Sequence, residues 1–233
     1  MSTYIYLFVT VFVGALLGRW LRQSKSISLK ILLIFSGAYL LGIGVFHLLP
    51  EVFETHSHHY GLLIMAGFFV QLLLEALSKG LEHGHSHSEL FHNKGLPIGV
   101  MIGLFLHAFI ESIPVGSHTD HLSREALFWG LIVHKLPVSI ILYNMLCEFS
   151  GKWQVVWFWL FCFALMAPLG VVLGEGLDFF AEHSAELTAF VFGIFLHIST
   201  TILFEGNQSH RFNFLKYAVI LLALAIAWLS VSH

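Results

Sequence analysis

His107 and Glu111 stand four residues apart in an apolar run, GLFLHAFIESIPVG from Gly103 to Gly116. On a helix that spacing puts both side chains on one face, with Cβ atoms roughly 5–6 Å apart, so an imidazole and a carboxylate converge on one cation. Inside a membrane helix the pair has no water to lean on, and ionisable groups at that depth mark functional sites by default. The plainer alternative is a buried His–Glu hydrogen bond that only fixes helix packing. A second apolar run, FWGLIVHKLPVSIILY, carries His134 and Lys135. Counting inward from the segment Ser117–Ser123, His107 and Glu111 lie about 6–10 residues deep and His134 about 11, or roughly 9–17 Å at the helical rise. The depths overlap, so His107, Glu111 and His134 surround one position. A fourth place stays open for water or another side chain, which suits a site that must release its ion.

The elements that position these residues follow from composition. The chain has 233 residues, 57% hydrophobic and 11% charged, with a mean hydropathy of +0.82, whereas soluble domains carry about 25% charged residues. This is an all-α integral membrane protein. At roughly 20 apolar residues per crossing, eight spans are predicted: Thr3–Leu21, Leu29–Leu49, Tyr60–Ser78, Leu96–Gly116, Arg124–Leu146, Trp153–Glu175, Ala185–Phe204 and Phe212–Ser230. Connections are short, leaving one transmembrane domain over residues 1–233. No cleavable leader is expected, because Arg19 and Arg22 follow the first apolar run and nothing basic precedes it. Compactness and that missing leader point to a bacterial-type inner membrane. The basic residues form no cluster, which argues against nucleic acid as a partner. Cys147 and Cys162 have no zinc-ribbon spacing.

Orientation follows the basic residues. Arg19, Arg22, Lys25, Lys30, Lys79, Lys94, Lys152, Arg211 and Lys216 fall at connections after spans one, three, five and seven; the other side has only Arg124. By the positive-inside rule those connections are cytoplasmic and both termini extracytoplasmic. The opposite face holds Glu51, Glu54, Asp120, Glu125, Glu175, Asp178, Glu182 and Glu186, a surface that concentrates cations. There are 16 histidines, more than the 11 Lys and Arg together. His83, His85 and His87 alternate in the cytoplasmic connection 79–95, where a flexible Gly/Ser context binds a borderline cation weakly, unless the segment is merely a solvated linker. Outside, His56, His58 and His59, with His47 and Glu51, form either a collecting vestibule or an ordinary polar loop. Pro114, Pro137 and Pro168 interrupt spans four, five and six, and glycines such as Gly103, Gly170 and Gly174 permit close helix contacts.

With these motifs in order, the chain resembles the ZIP family of divalent metal transporters. The carrying residues are His107 and Glu111 in span four, His134 and Pro137 in span five, HLLPE from His47 to Glu51 at the end of span two, and FGIFLHISTTILFE from Phe192 to Glu205 in span seven. The resemblance implies eight spans in a ZIP-like bundle with both termini outside. It also implies inward transport of zinc or a related divalent ion as substrate, with no organic cofactor, through a binuclear site between spans four and five. It further implies a bundle of spans one, four, five and six moving against spans two, three, seven and eight, often in a homodimer.

The departures from the family pattern fall on the second ion position. Ala108 follows the span-four His where Asn is common, Lys135 replaces an acid, and Val138 replaces a further ligand. One ion is therefore expected at His107, Glu111 and His134, with the Lys135 ammonium where a second ion would sit; alternatively, Lys135 pairs with Glu111 and closes the site. Glu111 and Lys135 sum to zero charge, so binding relies on neutral imidazoles and weakens as pH falls through the histidine range. His197 is expected to make a scaffold hydrogen bond, and Glu75 is unassigned. Two other classes compete with transport. One is a non-transporting metal sensor, motivated by Lys135. The other is a membrane metallohydrolase, which would need a water-activating base; its H-E-x-x-H signature is absent.

Overall fold

The computed structural model describes residues 2–21, 27–54, 59–81, 97–117, 121–205 and 214–230. Apolar runs with no water to satisfy their amides must close their hydrogen bonds within the segment, and the described residues contain helices and no strand. In chain order these are α1 (Ser2–Leu21), α2 (Ile27–Ile43), a π segment (Gly44–Leu48), α3 (Leu49–Glu54), α4 (His59–Ser78), α5 (Ile98–Ile110), α6 (Ile113–Ser117), α7 (His121–Phe149), α8 (Trp153–Gly176), α9 (Asp178–Glu182), α10 (Ser184–Glu205) and α11 (Phe214–Leu229).

Seven helical stretches among the described residues are long and apolar enough to cross a membrane, at the positions expected for spans one to seven. Where the eighth span is expected, the described residues form α11, an apolar helix of 16 residues. That is about 24 Å of helix, short of the roughly 30 Å hydrocarbon core. Two features are finer than hydropathy reveals. α9 is an extra helix of 5 residues after span six. Span two loosens into the π segment just before Pro50, where the Leu49 amide bonds the Gly44 carbonyl five residues back. Proline cannot donate to the carbonyl of Phe46, and the ladder widens immediately ahead of it.

Span four is broken at Glu111 and Ser112 into α5 and α6. Pro114 removes an amide and crowds the preceding turn. At the break the Ser112 hydroxyl donates to the carbonyls of Ala108 at 3.1 Å and Phe109 at 2.8 Å. Glu111 is thereby the capping residue of α5 rather than one more mid-helix position.

The helices sort into two groups by contact. α1 packs on α7 and α8, and α5 and α6 pack on α8. In the other group α10 packs on α4 and α2, and α2 on α11. Glycines permit the closest approaches: a methyl on Gly67 or Gly193 would run into the Phe190 or Ile64 carbonyl between α4 and α10, and one on Gly116 or Gly174 into Val171 or Ile113 between α6 and α8. The groups meet where α2 faces α7, α4 faces α5 and α6 faces α10.

Candidate metal site

The break in span four and the register of α7 bring His107, Glu111 and His134 together at that meeting surface. One ligand atom from each lies within 4.8 Å of the others, and all three residues are buried. His107 Nε2 is 3.2 Å from Glu111 Oε2, as their helical spacing requires. The rings of His107 and His134 face each other edge to face with centroids 5.8 Å apart. Spans four and five also touch directly where α6 packs on α7.

Lys135 joins the group. Its Nζ donates to Glu111 Oε1 at 3.1 Å and lies 5.3 Å from the ring centroid of Phe163, a buried residue of α8. The ammonium is thus held between a carboxylate and the face of a π system, two partners that offset part of its desolvation. Each carboxylate oxygen has its own neighbour: Oε1 faces the ammonium, Oε2 the imidazole.

Two side chains that the sequence reading passed over complete the surroundings. Gln71 Oε1, in α4, lies 3.0 Å from His107 Nδ1, where it accepts when that nitrogen carries the proton, and Ser36 Oγ, in α2, lies 3.2 Å from His134 Nδ1. Both are fully buried. Gln71 carried a visible signal, an amide in the apolar run FFVQLLLEAL; Ser36 carried none, since serine is common in membrane helices.

The remaining sequence candidates lie elsewhere. His47 sits half-buried in the π segment, and Glu51 lies half-buried one turn further on. His59 is exposed at the start of α4. His56, His58, His83, His85 and His87 lie outside the described residues. His197 and the unassigned Glu75 pair across α10 and α4, Nε2 to Oε2 at 3.3 Å, with the imidazole against the Phe68 ring.

The fold and this cluster define a helical membrane protein with a buried nitrogen–oxygen site of the kind that holds a divalent cation. A family model described as ZIP Zinc transporter matches residues 92–229. The chain belongs to the ZIP zinc transporter family, a family of metal transporters rather than enzymes. The matched stretch contains His107, Glu111, His134 and Lys135, while spans one to three precede it. Zinc transporter 7 of Arabidopsis thaliana is 22% identical over 116 residues, covering 50% of this chain and 32% of that protein, so the match spans about a third of the relative's length.

Proposed function

We propose that the protein carries a divalent cation, zinc foremost, with iron, manganese and cadmium as alternatives, across the membrane into the cytosol through His107, Glu111 and His134. The observation that carries this reading is the convergence of three buried ligand atoms within 4.8 Å from two neighbouring spans of one helix group. Two imidazoles and one carboxylate suit a borderline cation, and an open fourth position favours release. Lys135 supplies a fixed positive charge where relatives would hold a second ion, so a single ion is carried. The basic residues at odd-numbered connections support cytoplasmic placement of those connections, with the termini outside and eight crossings. The contact partition supports movement of α1 and α5 to α8 against α2, α4, α10 and α11.

A second reading rests on the Lys135–Glu111 pair at 3.1 Å: a site closed by its own lysine would bind metal without passing it. Flux of zinc, iron, manganese and cadmium into liposomes under a defined pH gradient separates the two. Transport predicts uptake that His107→Ala abolishes. Uptake unchanged in that variant removes the site from the pathway, and binding without flux establishes the sensor reading.

A further inference from the structure

In a neutral imidazole one ring nitrogen carries the proton and the other the lone pair, and only the second can bind a cation. At His107 two acceptors compete for that proton. Glu111 Oε2 stands 3.2 Å from Nε2, and Gln71 Oε1 stands 3.0 Å from Nδ1. If the carboxylate wins, Nε2 carries hydrogen and the nitrogen facing the cluster is useless as a ligand. If the amide oxygen wins, Nδ1–H donates to Gln71 and the Nε2 lone pair faces Glu111 and His134. A free carboxylate is the stronger acceptor, but Lys135 already donates to this one at 3.1 Å, and the amide oxygen is the nearer of the two acceptors. Gln71 is fully buried, in an apolar stretch where an unbonded amide would be costly. His134 also has an outer contact, its Nδ1 meeting Ser36 Oγ at 3.2 Å, a hydroxyl that can donate or accept. Both partners come from the helix group that carries no ligand: Gln71 from α4 and Ser36 from α2.

We infer that Gln71 is a positioning residue, which holds His107 in the tautomer that presents Nε2 to the cation. This rests on the cation-site reading, and it makes a statement about His107 that can be decided without any metal. An outer partner of this kind fixes ring orientation and tautomer, and its loss costs about 10–100-fold in metal affinity. Because Gln71 reaches across the surface between the groups, the ligand quality of His107 also depends on how α4 and α5 are docked.

The test uses the full chain in nanodiscs with 15N-labelled histidine, free of metal and above the histidine titration range. His107 signals are assigned by their loss in His107→Ala. Wild type is expected to show Nδ1 protonated and Nε2 bare. Gln71→Leu should move the proton to Nε2 and weaken zinc and cadmium binding, by calorimetry, about 10–100-fold, raising the KM for uptake more than it lowers the maximum rate. Gln71→Glu, which keeps an oxygen acceptor in place, should restore the wild-type tautomer and binding, a rescue that a purely space-filling role would not give. Proton placement unchanged in Gln71→Leu overturns the inference, as does unchanged affinity. Wild-type protein that binds neither cation overturns the functional reading alone, and the tautomer spectra still decide the role of Gln71.

Discussion

With its ammonium 3.1 Å from Glu111 Oε1 and 5.3 Å from the Phe163 ring centroid, Lys135 neutralises the carboxylate before any ion arrives. On the proposed reading, an entering cation would share Glu111 with a fixed charge of its own sign, which would lower affinity and help the ion leave. Removing one partner of a buried ion pair costs about 3–5 kcal/mol, because the other charge is left uncompensated. In Lys135→Met a bound cation would take over the neutralising role of the lost ammonium. That variant should melt at lower temperature than wild type without metal, recover on adding zinc or cadmium, bind more tightly and deliver more slowly. Calorimetry and liposome flux check this, and equal affinity and flux in the two proteins would remove Lys135 from the charge balance. At this scale the sequence was informative where chemistry is local: His107 and Glu111 are linked by helical spacing alone. Gln71 is visible as a polar residue in an apolar run, but its partner lies 36 positions away, a pairing that helical periodicity does not encode.

Among the elements, α6 has little of its own to hold it in place. It is 5 residues long, too short for helical hydrogen bonding to stabilise it independently, and it starts two residues after Glu111. Its position is set by α8, against which Gly116 and Gly174 bring the backbones together. A side chain on Gly174 would meet the Ile113 carbonyl and push α6 off α8. Overpacking of this kind costs about 1–3 kcal/mol, and the displacement passes directly to Glu111. Gly174→Leu is expected to lower the melting temperature and abolish flux. Gly176→Leu, two residues on, where an added Cβ would meet nothing within 4 Å, should resemble wild type in both; similar behaviour of the two variants would refute this account of α6. Apolar run lengths were enough to anticipate the seven helical stretches that are long and apolar enough to cross a membrane. They could not anticipate the break at Glu111, the π segment before Pro50 or α9, because these depend on which backbone groups find substitutes once a proline or a turn interrupts the ladder.

For the whole molecule the central question is whether the two helix groups move as bodies. All three candidate ligands and Lys135 ride on α5 to α7, while the groups that touch their outer nitrogens belong to α2 and α4. A cation carried by displacement of one group would leave Gln71 and Ser36 behind, and a shift of one helical turn, about 5.4 Å, exceeds the reach of either hydrogen bond. Movement and ligand quality would then be coupled by geometry, without a separate gate. The interface between α2 and α7 allows a direct test. A Cβ at Gly130 would stand 3.8 Å from Ile43 Cγ2, so cysteines at 43 and 130 are within reach of a disulfide or short thiol bridge. Within one group, a Cβ at Gly37 would stand 3.1 Å from Ile202 Cβ. In a background with Cys147 and Cys162 replaced by serine, bridging Ile43→Cys/Gly130→Cys should stop flux and reduction should restore it. Bridging Gly37→Cys/Ile202→Cys should leave flux running, because both positions travel together. Flux that continues through the first bridge would mean that the ion crosses between stationary helices, and the coupling through Gln71 would then need a smaller motion than a rigid shift.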